Sequence, residues 1–126
     1  MSEMKSTFET LEVWINGRAL RVKLSKLTSG FPAAEKFKLT DQIIRASRSV
    51  TANIAEGYGR FHYQENIQFC RISRGSLFEL IEHIYVALDE DYIDKKTFTN
   101  LKTDINEEIK LLNGYINYLK KRKEGG

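Results

Sequence analysis

A chain of 126 residues with 41% hydrophobic and 29% charged side chains fits one globular domain, long enough to build a continuous core without disulfides or a structural metal. Eight glycines and one proline are too few for a loop-rich or disordered chain, and the lone Cys70 excludes intramolecular disulfides and cysteine-clustered zinc sites, in keeping with a reducing cytoplasm. A net charge of +3 permits nucleic-acid contact without demanding it. The excess lies in the first half, where residues 1–60 carry ten Lys/Arg against six Asp/Glu, while residues 61–126 carry ten against eleven.

From Thr7 to about Thr28, apolar or small residues recur at Val13, Gly17, Leu20, Leu24 and Leu27, the spacing that draws one stripe along a helix. Ser29-Gly30-Phe31-Pro32 ends it, and a helical turn is expected around Ala33 to Lys36. Leu39, Ile43, Ala46, Val50, Asn53 and Gly57 define a second helix over about 39–58, stopped by Gly57-Tyr58-Gly59. Cys70, Ser73, Leu77, Leu80, Ile84 and Ala87 define a third over about 63–89. Asp94 is placed to cap a fourth over about 94–122, whose stripe is Phe98, Leu101, Ile105, Leu112, Tyr115 and Leu119, with Ile109 and Ile116 flanking. Strand-like alternation is absent. Short links between helices of similar length predict an all-α, up-down-up-down antiparallel four-helix bundle, one domain over 1–126.

Neither export nor membrane insertion is expected. Met1 to Phe8 is polar, and the apolar stretch Leu77 to Leu88 is interrupted by Glu79, Glu82 and His83. Some helices are apolar on more than one face. The first adds Leu11, Trp14 and Val22 to its stripe, and the third adds Phe78, Ile81 and Tyr85. Wide core stripes are one explanation and burial against copies of the same chain the other; the oligomer is favoured.

Catalytic and metal chemistry find no foothold. A di-iron bundle needs paired Glu-x-x-His motifs, but Gly59 and Leu80 stand three residues before His62 and His83. Glu79 and His83 share a helix face, a common pair that points only weakly to a metal. Nucleophile elbows, phosphate-cradling loops and dinucleotide fingerprints are missing, and Cys70 reads as a buried, inert thiol. No enzyme, no metal and no cofactor are expected.

What remains is charge with aromatics. Arg45 and Arg48 project from the outer side of the second helix, Arg71 faces outward on the third and Arg74 flanks its core, each pair spaced to straddle phosphates or equally to be solvated. Tyr58-Gly59-Arg60-Phe61-His62-Tyr63 interleaves rings with positive charge, a combination that stacks unpaired bases or packs over the bundle end. Lys120-Lys121-Arg122-Lys123 serves either as a nucleic-acid hook or as a complement to the helix dipole. Asn53 lies on the core stripe, where an amide must find partners and can fix register; Glu56 and Arg60 form a charged pair at the same helix end, so Asn53, Glu56 and Gly57 read first as a structural motif.

Val13-Trp14, Phe31-Pro32 with Glu35, Leu39 and Gln42, Ser49-Val50, Asn53-Ile54-Ala55-Glu56-Gly57 with Arg60, and Gly75-Ser76-Leu77 with Glu79 together resemble the bacterial proteins encoded in intervening sequences of large-subunit ribosomal RNA genes. The likeness covers about residues 8–119, and Asn-Ile-Ala-Glu-Gly is its most specific stretch. It implies an up-down bundle assembling as a homopentamer, without known enzymatic activity and with a connection to RNA. Accessory proteins of diversity-generating retroelements look similar in fold, which implies binding to a reverse transcriptase and nucleic acid through a basic surface. This chain departs from them in its near-neutral second half, and its Gly17, where a small helix former is usual, is expected to loosen the first helix.

The reading that follows is an oligomeric scaffold linked to RNA, with phosphate contacts from Arg45, Arg48, Arg60, Arg71 and Arg74. Its rival is a protein–protein adaptor docking a partner on exposed Trp14 or Tyr85.

Overall fold

The computed structural model describes residues 7–125, so the polar stretch Met1 to Ser6 lies outside the described residues. Four helices carry the fold: α1 (Glu12–Thr28), α2 (Leu39–Gly59), α3 (Tyr63–Asp89) and α4 (Lys95–Gly125). The first turn expected of α1 is instead a separate 3₁₀ turn, Phe8–Thr10. Thr7 caps it by accepting from the Glu9 N–H, and the extended backbone of Leu11 breaks it from α1. A second 3₁₀ turn, Ala33–Glu35, forms where the sequence predicts a helical turn. Asp94 caps α4, its Oδ1 accepting from the Thr97 N–H at 2.8 Å; that bond holds its carboxyl below the ordinary range.

Cross-helix contacts run in opposite chain order. Tyr63 meets Arg122 and Tyr85 meets Lys102 between α3 and α4; Asn16 meets Glu108 and Lys23 meets Asp104 between α1 and α4. Ser73 donates to the Val50 carbonyl and Ser76 to Ser49, while Gly57 lies against Asn66, which sets α2 antiparallel to α3. The α1–α2 and α3–α4 links therefore share one end of the bundle. There Tyr92 donates to Glu35 Oε2 at 2.7 Å and its ring packs on Phe31. The bond from Tyr92, helped by the Leu39 N–H, holds the Glu35 carboxyl below its usual range, and the same bond pushes the Tyr92 phenol up to about 12. Each helix packs on two neighbours, leaving α1 diagonal to α3 and α2 diagonal to α4.

The core follows the predicted stripes with three corrections. On α1 the buried residue at the C-terminal end is Thr28, while Leu27 is half-buried. On α2 the fully buried residue is Ile54, not Asn53. Asn53 is half-buried and donates to the Ser49 carbonyl at 2.8 Å and to its hydroxyl at 2.9 Å; Ser76 of α3 donates to that same hydroxyl at 2.8 Å, so Asn53 finds its partner on its own helix and reaches α3 only through Ser49. On α4 the core includes Glu108, entirely shielded from solvent, while Tyr115 is half-buried. Gly17 explains how a carboxylate fits there: a Cβ on Gly17 would stand 2.8 Å from Glu108 Oε2 and 3.2 Å from Thr51 Cγ2. Far from loosening α1, this glycine is buried and lets the side chain of α4 enter the interface. Asn16 donates to Glu108 Oε1 at 3.0 Å, and Oε2 has no hydrogen-bond partner among the described residues. Burial raises the Glu108 carboxyl to about 7, with the nearby Glu12 adding to the rise and the Asn16 bond opposing it.

Gly57 serves a similar purpose between α2 and α3, where a Cβ would meet Asn66 Oδ1 at 2.8 Å and Phe69 Cβ at 2.9 Å. The two helices touch almost backbone to backbone at this point. Cys70 is buried, and desolvation pushes its thiol up to about 12.

Candidate nucleic-acid interface

Along α1, Trp14, Arg18 and Arg21 recur at the four and three spacing of one helix face. Along α2, Arg48, Thr51, Ala52 and Ala55 do the same. The two stripes border an open trough of about 510 Å³ lined by Trp14, Arg21, Arg48, Thr51, Ala52 and Ala55. Apart from Arg48, its α2 wall is made of the small side chains Thr51, Ala52 and Ala55, which leaves open the space that Trp14 and Arg21 border from α1.

The charge in this trough is not neutralised by carboxylates. Arg18 places its guanidinium over the Trp14 ring at 5.7 Å, and Arg21 donates to the Thr51 hydroxyl at 2.7 Å. Among the described residues, neither they nor Arg48 form an ion pair. Guanidinium forks match phosphate oxygens in geometry, and an indole face beside them offers a stacking surface, so the chemistry suits an anionic chain carrying flat rings.

The arginines and lysines singled out in the sequence do not come together on one surface. Arg48 belongs to the trough. Arg45, one turn away, is exposed and paired with Asp41 at 3.0 Å. Arg60 sits at the far end of α2 between Glu56 at 3.0 Å and Glu65 at 3.7 Å, which realises the expected local pair with Glu56. Arg71 is exposed on α3, whereas Arg74 turns toward α4 and donates to Asn113 Oδ1 at 2.8 Å. Lys120, Lys121, Arg122 and Lys123 are exposed in the last turns of α4, where Arg122 reaches the Tyr63 hydroxyl and Lys123 the Gln64 amide oxygen.

Sequence reasoning missed Arg18 and Arg21. The available signal was their spacing from Trp14, at four and seven residues on one helix face. His83 and Glu79 pair at 3.0 Å on α3, and no group of three or more His, Cys, Asp and Glu side chains converges among the described residues. No described helix is long and apolar enough to cross a membrane.

Comparisons with known proteins agree with this architecture. A solved structure of a protein of unknown function from the S23 ribosomal protein family of Bacteroides thetaiotaomicron is similar, with a TM-score of 0.77 and 23% identity over 83% of this chain and 95% of that one. No curated protein matches. A family model described as 23S rRNA-intervening sequence protein matches residues 9–114. On that match, which takes in the trough and all but the last turns of α4, this chain belongs to the 23S rRNA-intervening sequence protein family.

Proposed function

We propose that this chain is a non-enzymatic RNA-binding scaffold of the cytoplasm, whose α1–α2 trough holds the phosphate backbone. The observation that carries this reading is a pair of guanidinium groups, Arg21 and Arg48, that line one trough, with a third, Arg18, over the Trp14 ring on its wall, none of them with a carboxylate partner among the described residues. The family's link to an RNA gene supports it. Arg45, Arg71 and the cations of α4 act as outlying contacts on the same principle that phosphate contacts position without reading sequence. The test is RNA binding by fluorescence anisotropy at low salt for the wild type and for Arg18→Ala/Arg48→Ala. Both residues are exposed, so the fold is expected to persist while affinity falls. Absence of wild-type binding at low salt would end the proposal.

Self-association forms part of the same proposal, on a separate observation. Ile15 and Val22 stand exposed on one face of α1, at 52% and 43%, and Phe78 and Tyr85 stand exposed on one face of α3, at 55% and 40%. Because α1 and α3 are diagonal, these are two separate patches. Unlike patches that meet head to tail close into a ring when the rotation between copies allows it and otherwise extend into a filament, whereas a twofold dimer pairs a patch with itself. A homopentamer is the ring the family resemblance implies.

A further inference from the structure

The end of the bundle that carries the α2–α3 link holds a second concavity, of about 430 Å³, roofed by rings from two directions. Tyr58 and Phe61 contribute one pair, with centroids 6.3 Å apart, and Tyr115 and Tyr118 another, nearly parallel at 16° with centroids 6.2 Å apart. Asn66 lies between the helices and donates to the Tyr115 hydroxyl at 3.3 Å. We propose that this pocket receives an unpaired base of single-stranded RNA, stacked against Phe61 and Tyr118, while Arg122 and Lys123 hold the adjoining phosphates.

Four observations on the molecule support this assignment. Phe61 is 87% exposed and held at φ 53°, a left-handed conformation unfavourable for a bulky side chain. The fold therefore holds a large apolar ring in water, in a strained turn, and Tyr118 beside the same pocket is 54% exposed. The rim is basic in the relevant sense: Arg122 and Lys123 bond to the uncharged oxygens of Tyr63 and Gln64, and neither is in an ion pair among the described residues. Rings flanked by such cations match a base attached to a phosphate better than they match an apolar peptide. Lastly, pocket and trough are neighbours. Leu11, the residue that precedes α1, and Tyr58 of α2 line the pocket, while Trp14 and Ala55, each three residues away along the chain, line the trough. A strand whose backbone follows the arginines can deliver its next base to the rings.

This inference rests on the RNA-binding reading, and the experiment separates the two. The 126-residue chain is titrated with a short single-stranded RNA carrying one fluorescent adenine analogue, and with the same strand annealed to its complement. Binding is expected to quench the analogue in the single strand and to leave it unchanged in the duplex. Phe61→Leu, which keeps apolar bulk but removes the ring, and Tyr118→Ala are each expected to weaken single-strand binding about tenfold, the loss of one base stack. Thermal melting checks that both variants remain folded. If the two RNAs bind alike and neither substitution matters, while Arg18→Ala/Arg48→Ala still weakens both, the base pocket is wrong and the phosphate trough stands. If neither RNA binds at low salt, both readings fall.

Discussion

Replacing Glu108 by Gln tests the most unusual feature of the core. The carboxyl is fully shielded, one oxygen accepts from Asn16, and the other has no partner among the described residues. Its ordinary value of 4.5 rises to about 7 in the folded chain. That gap is worth roughly 3 kcal/mol at most. Between these two values the folded chain keeps a proton that the unfolded chain has released. The contribution of Glu108 to stability is therefore fully present below about pH 4.5, declines as pH rises and is lost above about pH 7. Glutamine preserves the acceptor for Asn16 and cannot ionise. Any cost of burying its NH2 group, about 1–3 kcal/mol, is the same at every pH, so the readout is the slope and not the offset. Urea unfolding of both proteins, followed by circular dichroism from about pH 5 to about pH 8, should show the stability difference shifting toward the variant by about 2–3 kcal/mol across that range. A difference that stays flat with pH would refute the account of a carboxyl held protonated by burial.

Gly57→Ala should destabilise the bundle. Overpacking against Asn66 and Phe69 costs about 1–3 kcal/mol, more than the roughly 1 kcal/mol of helix propensity gained, and a shift in the urea midpoint reads the net loss. Ser73→Ala removes a buried 2.7 Å hydrogen bond to the Val50 carbonyl between α2 and α3 and should cost about 1 kcal/mol in the same assay. Cys70, with its thiol pushed up to about 12, should resist alkylation by iodoacetamide at neutral pH in the native protein and react fully once unfolded, as mass spectrometry would show.

The four helices and most of the core were legible because their apolar stripes are long and regular, and because Asp94 carries a local capping signal. The places where reading the sequence went astray share one cause: they depend on what a second helix brings. Glu108 stands three residues after Ile105 and four before Leu112, on the stripe itself. Its charge argued for solvent, and only the missing Cβ of Gly17 across the interface makes room for it. That pairing over 91 positions has no trace in local spacing. Asn53 was one residue out of phase with Ile54, a slip within reach of strict seven-residue spacing, since an α-helix repeats every 3.6 residues and drifts against it.

The candidate interface divides the same way. The positive excess of the first half was visible in composition, and Arg48 was identified from its outward position. Arg18 and Arg21 were overlooked because the floor of small residues that turns Trp14 and its arginines into a trough belongs to α2. Arg74 was read as flanking the core of the third helix, and which group it meets there, Asn113 of α4, was not legible. Which charges remain without carboxylates is a property of neighbours, and neighbours come from the fold.

The account stands on guanidinium groups in the α1–α2 trough replacing cations on RNA phosphates. The most direct measurement is the slope of log affinity against log salt for single-stranded RNA, compared between wild type and Arg18→Ala/Arg48→Ala. The account predicts a steep wild-type slope that becomes shallower by roughly 0.7 for each arginine removed. An identical slope in the two proteins would contradict it.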